Sequence, residues 1–228
     1  MESKVKRLPI NTAGNDYIIG DIHGCYEQFQ RLLQEIGFDK TKDRMIACGD
    51  LVDRGQDSFK CALLVREPWF HSVMGNHEDM FLQYQRREID IGMYTYNGGE
   101  WATRLDEQSG LILYELLKEL PLVIEIDTVQ GLLGVIHADL FGSYWNEAIS
   151  ELEPESAMWS RNRIKQLNQS QINGIEKVFF GHTPVNQPLV LGNCHYIDTG
   201  CVFGKSLTCY DVTHDIYHSV PYLIGAIE

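Results

Sequence analysis

Tyr17-Ile18-Ile19-Gly20-Asp21-Ile22-His23-Gly24 is the stretch on which the reading of this chain turns. Three apolar or aromatic residues run into a glycine and a polar cluster, after which Phe29, Leu32, Leu33 and Ile36 recur at helical spacing. The pattern predicts a buried strand, a polar loop and an amphipathic helix, and it returns twice. Met45-Ile46-Ala47-Cys48 leads into Gly49-Asp50, with Ala62, Leu63 and Leu64 in the helix beyond. His71-Ser72-Val73-Met74 leads into Gly75-Asn76-His77-Glu78, with Phe81 and Leu82 in a third helix. Strands alternating with helices imply parallel pairing with helices laid on the sheet. In open α/β sheets, sites gather beyond the carboxyl ends of strands, which is where each polar cluster lies.

Further along, helices are expected over 100–107 and 111–120. Pro121 closes the second, because proline lacks an amide hydrogen and restricts the residue before it. Strands are expected over 122–126 and 132–137, and one helix within 155–167. Val178-Phe179-Phe180 reads as a strand ending in Gly181-His182, with short strands from there to Val220. The glycine- and tyrosine-containing stretch 91–100 reads as a more mobile insertion. The expected architecture is α/β: two mixed sheets packed as a sandwich with flanking helices, in a single domain over 1–228.

Composition narrows the function. A hydrophobic content of 44% over 228 residues supports a sizeable core. The formal net charge of −13 disfavours nucleic acid as a partner, since phosphate backbones are held by Lys and Arg displacing counterions. Part of that charge could instead belong to a metal site. Cys25, Cys48, Cys61, Cys194, Cys201 and Cys209 form no Cys-x-x-Cys pair and read as reduced thiols in a cytoplasmic protein. No stretch has the length and apolarity of a signal peptide core or a membrane span.

The chemistry lies in Asp21-x-His23, Asp50-x-x-Asp53-Arg54, Asn76-His77-Glu78, His137 and His182, each just after an apolar strand. Carboxylate, amide and imidazole are ligands for hard or borderline divalent ions, and a shared carboxylate can bridge two of them. One histidine alone is more often a hydrogen-bonded or surface residue. An ordered series at successive strand ends points to a metal site.

Through Gly20-Asp21-Ile22-His23-Gly24, Gly49-Asp50-Leu51-Val52-Asp53-Arg54-Gly55 and Gly75-Asn76-His77-Glu78 the sequence resembles the metal-dependent phosphoprotein phosphatase family. His137-Ala138-Asp139, Trp159-Ser160-Arg161, Gly181-His182-Thr183-Pro184, Asn97-Gly98-Gly99 and Tyr196-Ile197-Asp198-Thr199-Gly200 make it most similar to the small bacterial and phage branch typified by the lambda phosphatase. The resemblance spans nearly the whole chain and implies the calcineurin-like metallophosphoesterase fold. It further implies that Asp21 and His23 bind one metal, Asp50 bridges two, and Asn76, His137 and His182 bind the second. By the same resemblance manganese is the favoured ion, with iron, zinc, nickel or magnesium as alternatives. A water or hydroxide between the ions would attack phosphorus in phosphoserine or phosphothreonine of protein substrates. His77 would protonate the leaving oxygen, Asp53 would hold His77, and Arg54 and Arg161 would clamp the phosphate.

Bland readings stand beside these. Asp53 could cap a helix, and the arginines could form surface ion pairs. Asp139, two residues past His137, reads as a turn former outside the ligand set. Asn97-Gly98-Gly99-Glu100 could end a substrate-facing loop or start a capped helix. Tyr94, Tyr96, Trp101, Tyr144 and Trp145 could line a peptide groove or pack on the core. The alternative enzyme is a dinucleoside tetraphosphate hydrolase, which by resemblance usually carries Gly-His-Trp where this chain has Gly181-His182-Thr183, and histidine-alanine-glycine where it has His137-Ala138-Asp139. A binding module without catalysis should have lost a ligand or the proton donor, and this sequence keeps them all.

Overall fold

Adjacent residues of one strand enter different cores. On β2 (Asp16–Ile19), Tyr17 and Ile19 pack with Phe29, Leu32 and Leu33 of helix α1 (Tyr26–Glu35), whereas Ile18 packs against the opposite sheet. The same alternation separates Met45 and Ala47 from Ile46 on β3 (Arg44–Ala47). This is the period-two signature of strands covered on both faces. The computed structural model describes residues 5–222.

Two mixed sheets form a sandwich. One contains β2, β3 and β4 (Phe70–Ser72) in parallel, with β10 (Ser206–Asp211) and β11 (Ile216–Pro221) antiparallel at its edge, in the order β11-β10-β2-β3-β4. The other has the order β1-β5-β6-β7-β9-β8, from β1 (Val5–Leu8), β5 (Val123–Thr128), β6 (Gly131–Ile136), β7 (Lys177–Phe180), β8 (Leu189–Leu191) and β9 (Cys194–Tyr196). Ile18, Ile46, Ile124, Val135, Phe179 and Tyr210 meet between the sheets. Register brings the strand ends into line: Ile19 pairs with Ala47 and Ala47 with Ser72, so the loops that follow emerge together. At the opposite end, Arg44 grips Asp16 by two bonds of 2.7 Å and fixes that register.

Helices α2 (Ser58–Leu63), α3 (Asn76–Gln85) and α5 (Glu107–Leu117) flank the sheets, with the short α4 (Ile91–Tyr96), α6 (Trp145–Ser150), α7 (Pro154–Trp159) and α8 (Asn162–Lys165). Helix α5 begins four residues before the expected 111, because the Asp106 carboxylate accepts the Ser109 amide at 2.7 Å and caps it. The stretch 91–100 forms a short helix and the start of a 3-10 turn. Asp90 caps α4 at Met93, Asn97 ends it, and a 3-10 turn over Gly99–Arg104 replaces the α-helix expected over 100–107. The single helix expected within 155–167 is two, broken where Ser160 takes extended backbone. Strand β1 escaped the pattern because Lys6 and Arg7 face solvent on a sheet edge. Among the described residues, no helix is long and apolar enough to cross a membrane.

Candidate metal centre

The loops leaving β2, β3, β4, β6 and β7 converge. His23, Asp50, Asp53, Arg54 and His182 all adopt left-handed backbone, with φ of 45°, 49°, 70°, 69° and 64°. Side chains in that region carry a steric cost, which persists where the surroundings over-determine the conformation. The determinant for Asp50 is Glu78, fully buried in the first turn of α3. Its carboxylate accepts the amides of Asp50 (2.8 Å), Leu51 (2.8 Å), Val52 (3.3 Å) and Gly75 (3.0 Å). Gly181 is required by contact: a Cβ there would lie 1.9 Å from Asp21 Oδ1.

Asp50 is the centre of the cluster. Its Oδ2 lies 3.4 Å from His23 Nε2, and its Oδ1 lies 3.4 Å from His137 Nε2. Ligand atoms of His23, Asp50 and His77 fall within 4.8 Å of one another, as do those of Asp50, His137 and His182, so one carboxylate belongs to both groups. Asn76 Oδ1 is 3.0 Å from His137 Nε2 and 2.9 Å from His182 Nδ1. Asp21 joins more loosely, 4.0 Å from His23 Nε2, with its carboxylate accepting the His182 amide at 3.0 Å. All six expected ligands are thereby brought together, and His77 joins the first group.

The donor set fits cations. His23 Nδ1 donates to the Val52 carbonyl (2.8 Å) and His137 Nδ1 to the Cys48 carbonyl (2.6 Å), which turns the Nε2 atom of each ring toward Asp50. His182 Nε2 donates to the Trp159 carbonyl at 3.3 Å, leaving Nδ1 as an acceptor. Asn76 Oδ1 thus meets His137 Nε2 and His182 Nδ1 within hydrogen-bonding distance. Burial pushes His23 and His182 down to about 3, so both rings are neutral at neutral pH, the form that metal ligation requires. Burial lowers His137, but the charge of Asp50 together with hydrogen bonds to Asp50 and the Cys48 carbonyl outweighs it and raises the imidazole. Burial, then the charges of Asp198 and Asp50, push Asp21 well above the usual carboxylate range, and burial raises Asp198 to about 6. Buried carboxylates that repel one another are what divalent ions relieve.

His77 Nδ1 sits 2.7 Å from Asp53 Oδ2. Asp53 Oδ1 accepts the Tyr94 hydroxyl (2.8 Å) and the Trp101 indole N–H (2.6 Å), so these two aromatics contact the site and not a peptide groove. Arg54 reaches the site with its guanidinium donating to His23 Nε2, over the face of Phe203 at 5.4 Å. Arg161 is exposed at the start of α8, where its charge helps to depress His182. Asp139 is buried but does not join the ligands: Oδ2 accepts the Ser160 hydroxyl (3.0 Å) and the Arg163 amide (3.1 Å), and this breaks the expected helix beside Arg161. Sequence reasoning gave no role to Glu78 or Asp198. Their signal was position alone, one inside a ligand block and one before Thr199-Gly200.

A family profile for calcineurin-like phosphoesterases matches residues 17–199. The chain is 36% identical to serine/threonine-protein phosphatase 1 of Salmonella typhimurium, over 91% of this chain and 96% of that protein. It is 30% identical to the asymmetrical bis(5'-nucleosyl)-tetraphosphatase of Geobacillus thermodenitrificans, over 90% and 93%. A crystal structure of a candidate diadenosine tetraphosphatase superposes with a TM-score of 0.70 at 25% identity, covering 98% of this chain and 100% of that one.

Proposed function

The chain belongs to the calcineurin-like phosphoesterase family, and from that premise we propose that it hydrolyses phosphoserine and phosphothreonine in proteins, using two divalent ions with manganese favoured. The observation that carries the metal part is the meeting of Asn76 Oδ1, His137 Nε2 and His182 Nδ1 around one Asp50 carboxylate. Asp21, His23 and Asp50 would hold one ion, and Asp50, Asn76, His137 and His182 the other. When bound, two such cations lower the pKa of a water for attack on phosphorus and offset charge on the phosphoryl oxygens.

The remaining residues act on the phosphate and the leaving group. His77, oriented by Asp53, donates its Nε2 proton to the departing serine or threonine oxygen, which is otherwise an alkoxide and a poor leaving group. Arg54 and Arg161 bind phosphoryl oxygens, the guanidinium fork matching two of them. For Arg54 this requires release from His23. The six cysteines, buried and unpaired, agree with a reducing compartment such as the cytoplasm.

The second reading, hydrolysis of dinucleoside tetraphosphates, is favoured by the Geobacillus relative and the candidate diadenosine tetraphosphatase. Two features favour the protein substrate. The Asp53-clasped His77 suits an ester whose leaving group needs a proton, whereas a phosphoanhydride leaves as a stabilised anion. The charges of Arg54 and Arg161 are felt at His23 and His182, and a polyanionic bridge calls for more cationic contacts than these two. Phosphate release from a phosphoserine peptide tests the assignment. It should stop when the protein is stripped of metal by a chelator and return with Mn2+, and undiminished turnover in metal-free protein would overturn it.

A further inference from the structure

Tyr94 and Trp101 lie outside every block of ligands, yet both end on one oxygen of Asp53. Asp53 and Tyr94 are fully buried, and the other Asp53 oxygen faces His77. A carboxylate with two donors on Oδ1 cannot rotate without losing two charge-assisted bonds, so the oxygen presented to His77 is held in direction as well as distance.

The rings are in turn held by the helix that carries His77. Tyr84 of α3 stacks on Tyr94 at 4.9 Å and Phe81 of α3 stacks on Trp101 at 5.7 Å. Gly99 lets Tyr94 fit, because a Cβ there would come within 2.4 Å of the phenol ring. The same segment grips the next residue of the catalytic loop: the Gly98 carbonyl accepts the Arg54 amide at 2.9 Å, where Asp53 and Arg54 are both left-handed. The contacts close a ring, from α3 through Tyr84 and Phe81 to Tyr94 and Trp101, then to Asp53, and back to α3 at His77.

We infer that Tyr94 and Trp101 are positioning residues for proton donation, aligning Asp53 so that His77 Nε2 meets the leaving oxygen of a phosphomonoester. Neither touches the substrate. The inference rests on the acid role proposed for His77, and it makes the segment from α4 through the 3-10 turn a brace for the catalytic loop.

Leaving-group dependence separates this role from general support. The metal-loaded protein and its Tyr94→Phe, Trp101→Phe and His77→Asn variants are assayed on phenyl phosphate, a poor leaving group, and on 4-nitrophenyl phosphate, a good one. Metal content and KM are measured in parallel. Tyr94→Phe and Trp101→Phe should each lower kcat on phenyl phosphate on the order of tenfold and on 4-nitrophenyl phosphate by less than about threefold, with metal and KM unchanged. Equal losses on both esters, or none, with His77→Asn still discriminating, overturn the positioning role alone. If His77→Asn itself fails to discriminate, the acid assignment falls and takes this inference with it. If neither aromatic variant folds, the contacts are structural and the role is withdrawn.

Discussion

Glu78 holds Asp50 by its backbone: Oε2 accepts the Asp50 amide at 2.8 Å, and the same carboxylate takes the amides of Leu51, Val52 and Gly75. The candidate bridging ligand is therefore placed from the first turn of α3, across the two strand ends that must meet for a two-ion site to exist. Glu78→Gln keeps the shape but replaces one acceptor oxygen with a donor facing amide hydrogens. It should cost about 2 to 3 kcal/mol in urea denaturation of the metal-free protein and lower the metal content after reconstitution. Unaltered stability would show that these amides find other partners.

His77→Asn should reduce kcat on a phosphoserine peptide by about a hundredfold or more while both ions stay bound, since a general acid contributes on that scale. Metal analysis of the purified variant is the essential control, because His77 lies with His23 and Asp50 in one of the two ligand groups. Loss of an ion on substitution would make His77 a ligand and remove it from the acid role.

Asp139→Ala should lower kcat/KM by about tenfold with the metals retained. The carboxylate caps the turn at Ser160 and Arg163, and without it the backbone that carries Arg161 between α7 and α8 loses its anchor. The variant's ion content and its kcat/KM on a phosphoserine peptide decide the matter, and loss of an ion would mean that Asp139 reaches the metals after all.

What could be read in advance was what repeats. Three strand-loop-helix units and two later strand ends announced the fold and the polar clusters that gather at the candidate metal centre, because a buried strand leaves a dense apolar run and a polar loop leaves carboxylate and imidazole together. What could not be read depended on contacts between distant segments. Tyr94 and Trp101 are 41 and 48 positions from Asp53, and their hydroxyl and indole carry no local mark of that use. Ser160 breaks a helix for the sake of Asp139, 21 positions away. Arg54 matched its motif, but its lodging on His23 is a matter of side-chain packing that no spacing encodes.

His195, buried on β9 with Nδ1 2.6 Å from the Tyr217 hydroxyl, should make the fold sensitive to acid. Burial, aided by the charge of Lys177 and opposed by Asp215, lowers it from 6.5 to about 4. The native state therefore prefers the neutral ring. The unfolded chain binds more protons between pH 6.5 and 4, so the contribution is complete above 6.5 and is lost as pH falls through 4. It amounts to at most about 3 kcal/mol. His195→Gln does not titrate, so its stability deficit in urea denaturation should shrink between pH 6.5 and 4, and curves that stay parallel would contradict the argument.

The substrate assignment is tested most directly by measuring kcat/KM of the metal-loaded protein for a phosphoserine peptide and for diadenosine tetraphosphate, with the same ion at the same pH. The larger value is expected for the peptide, because the pair of His77 and Asp53 suits a leaving group that needs a proton and a tetraphosphate calls for more cationic contacts than Arg54 and Arg161. A preference for the tetraphosphate of about tenfold or more, roughly 1.4 kcal/mol of transition-state binding, would contradict it and place the chain with its tetraphosphatase relatives.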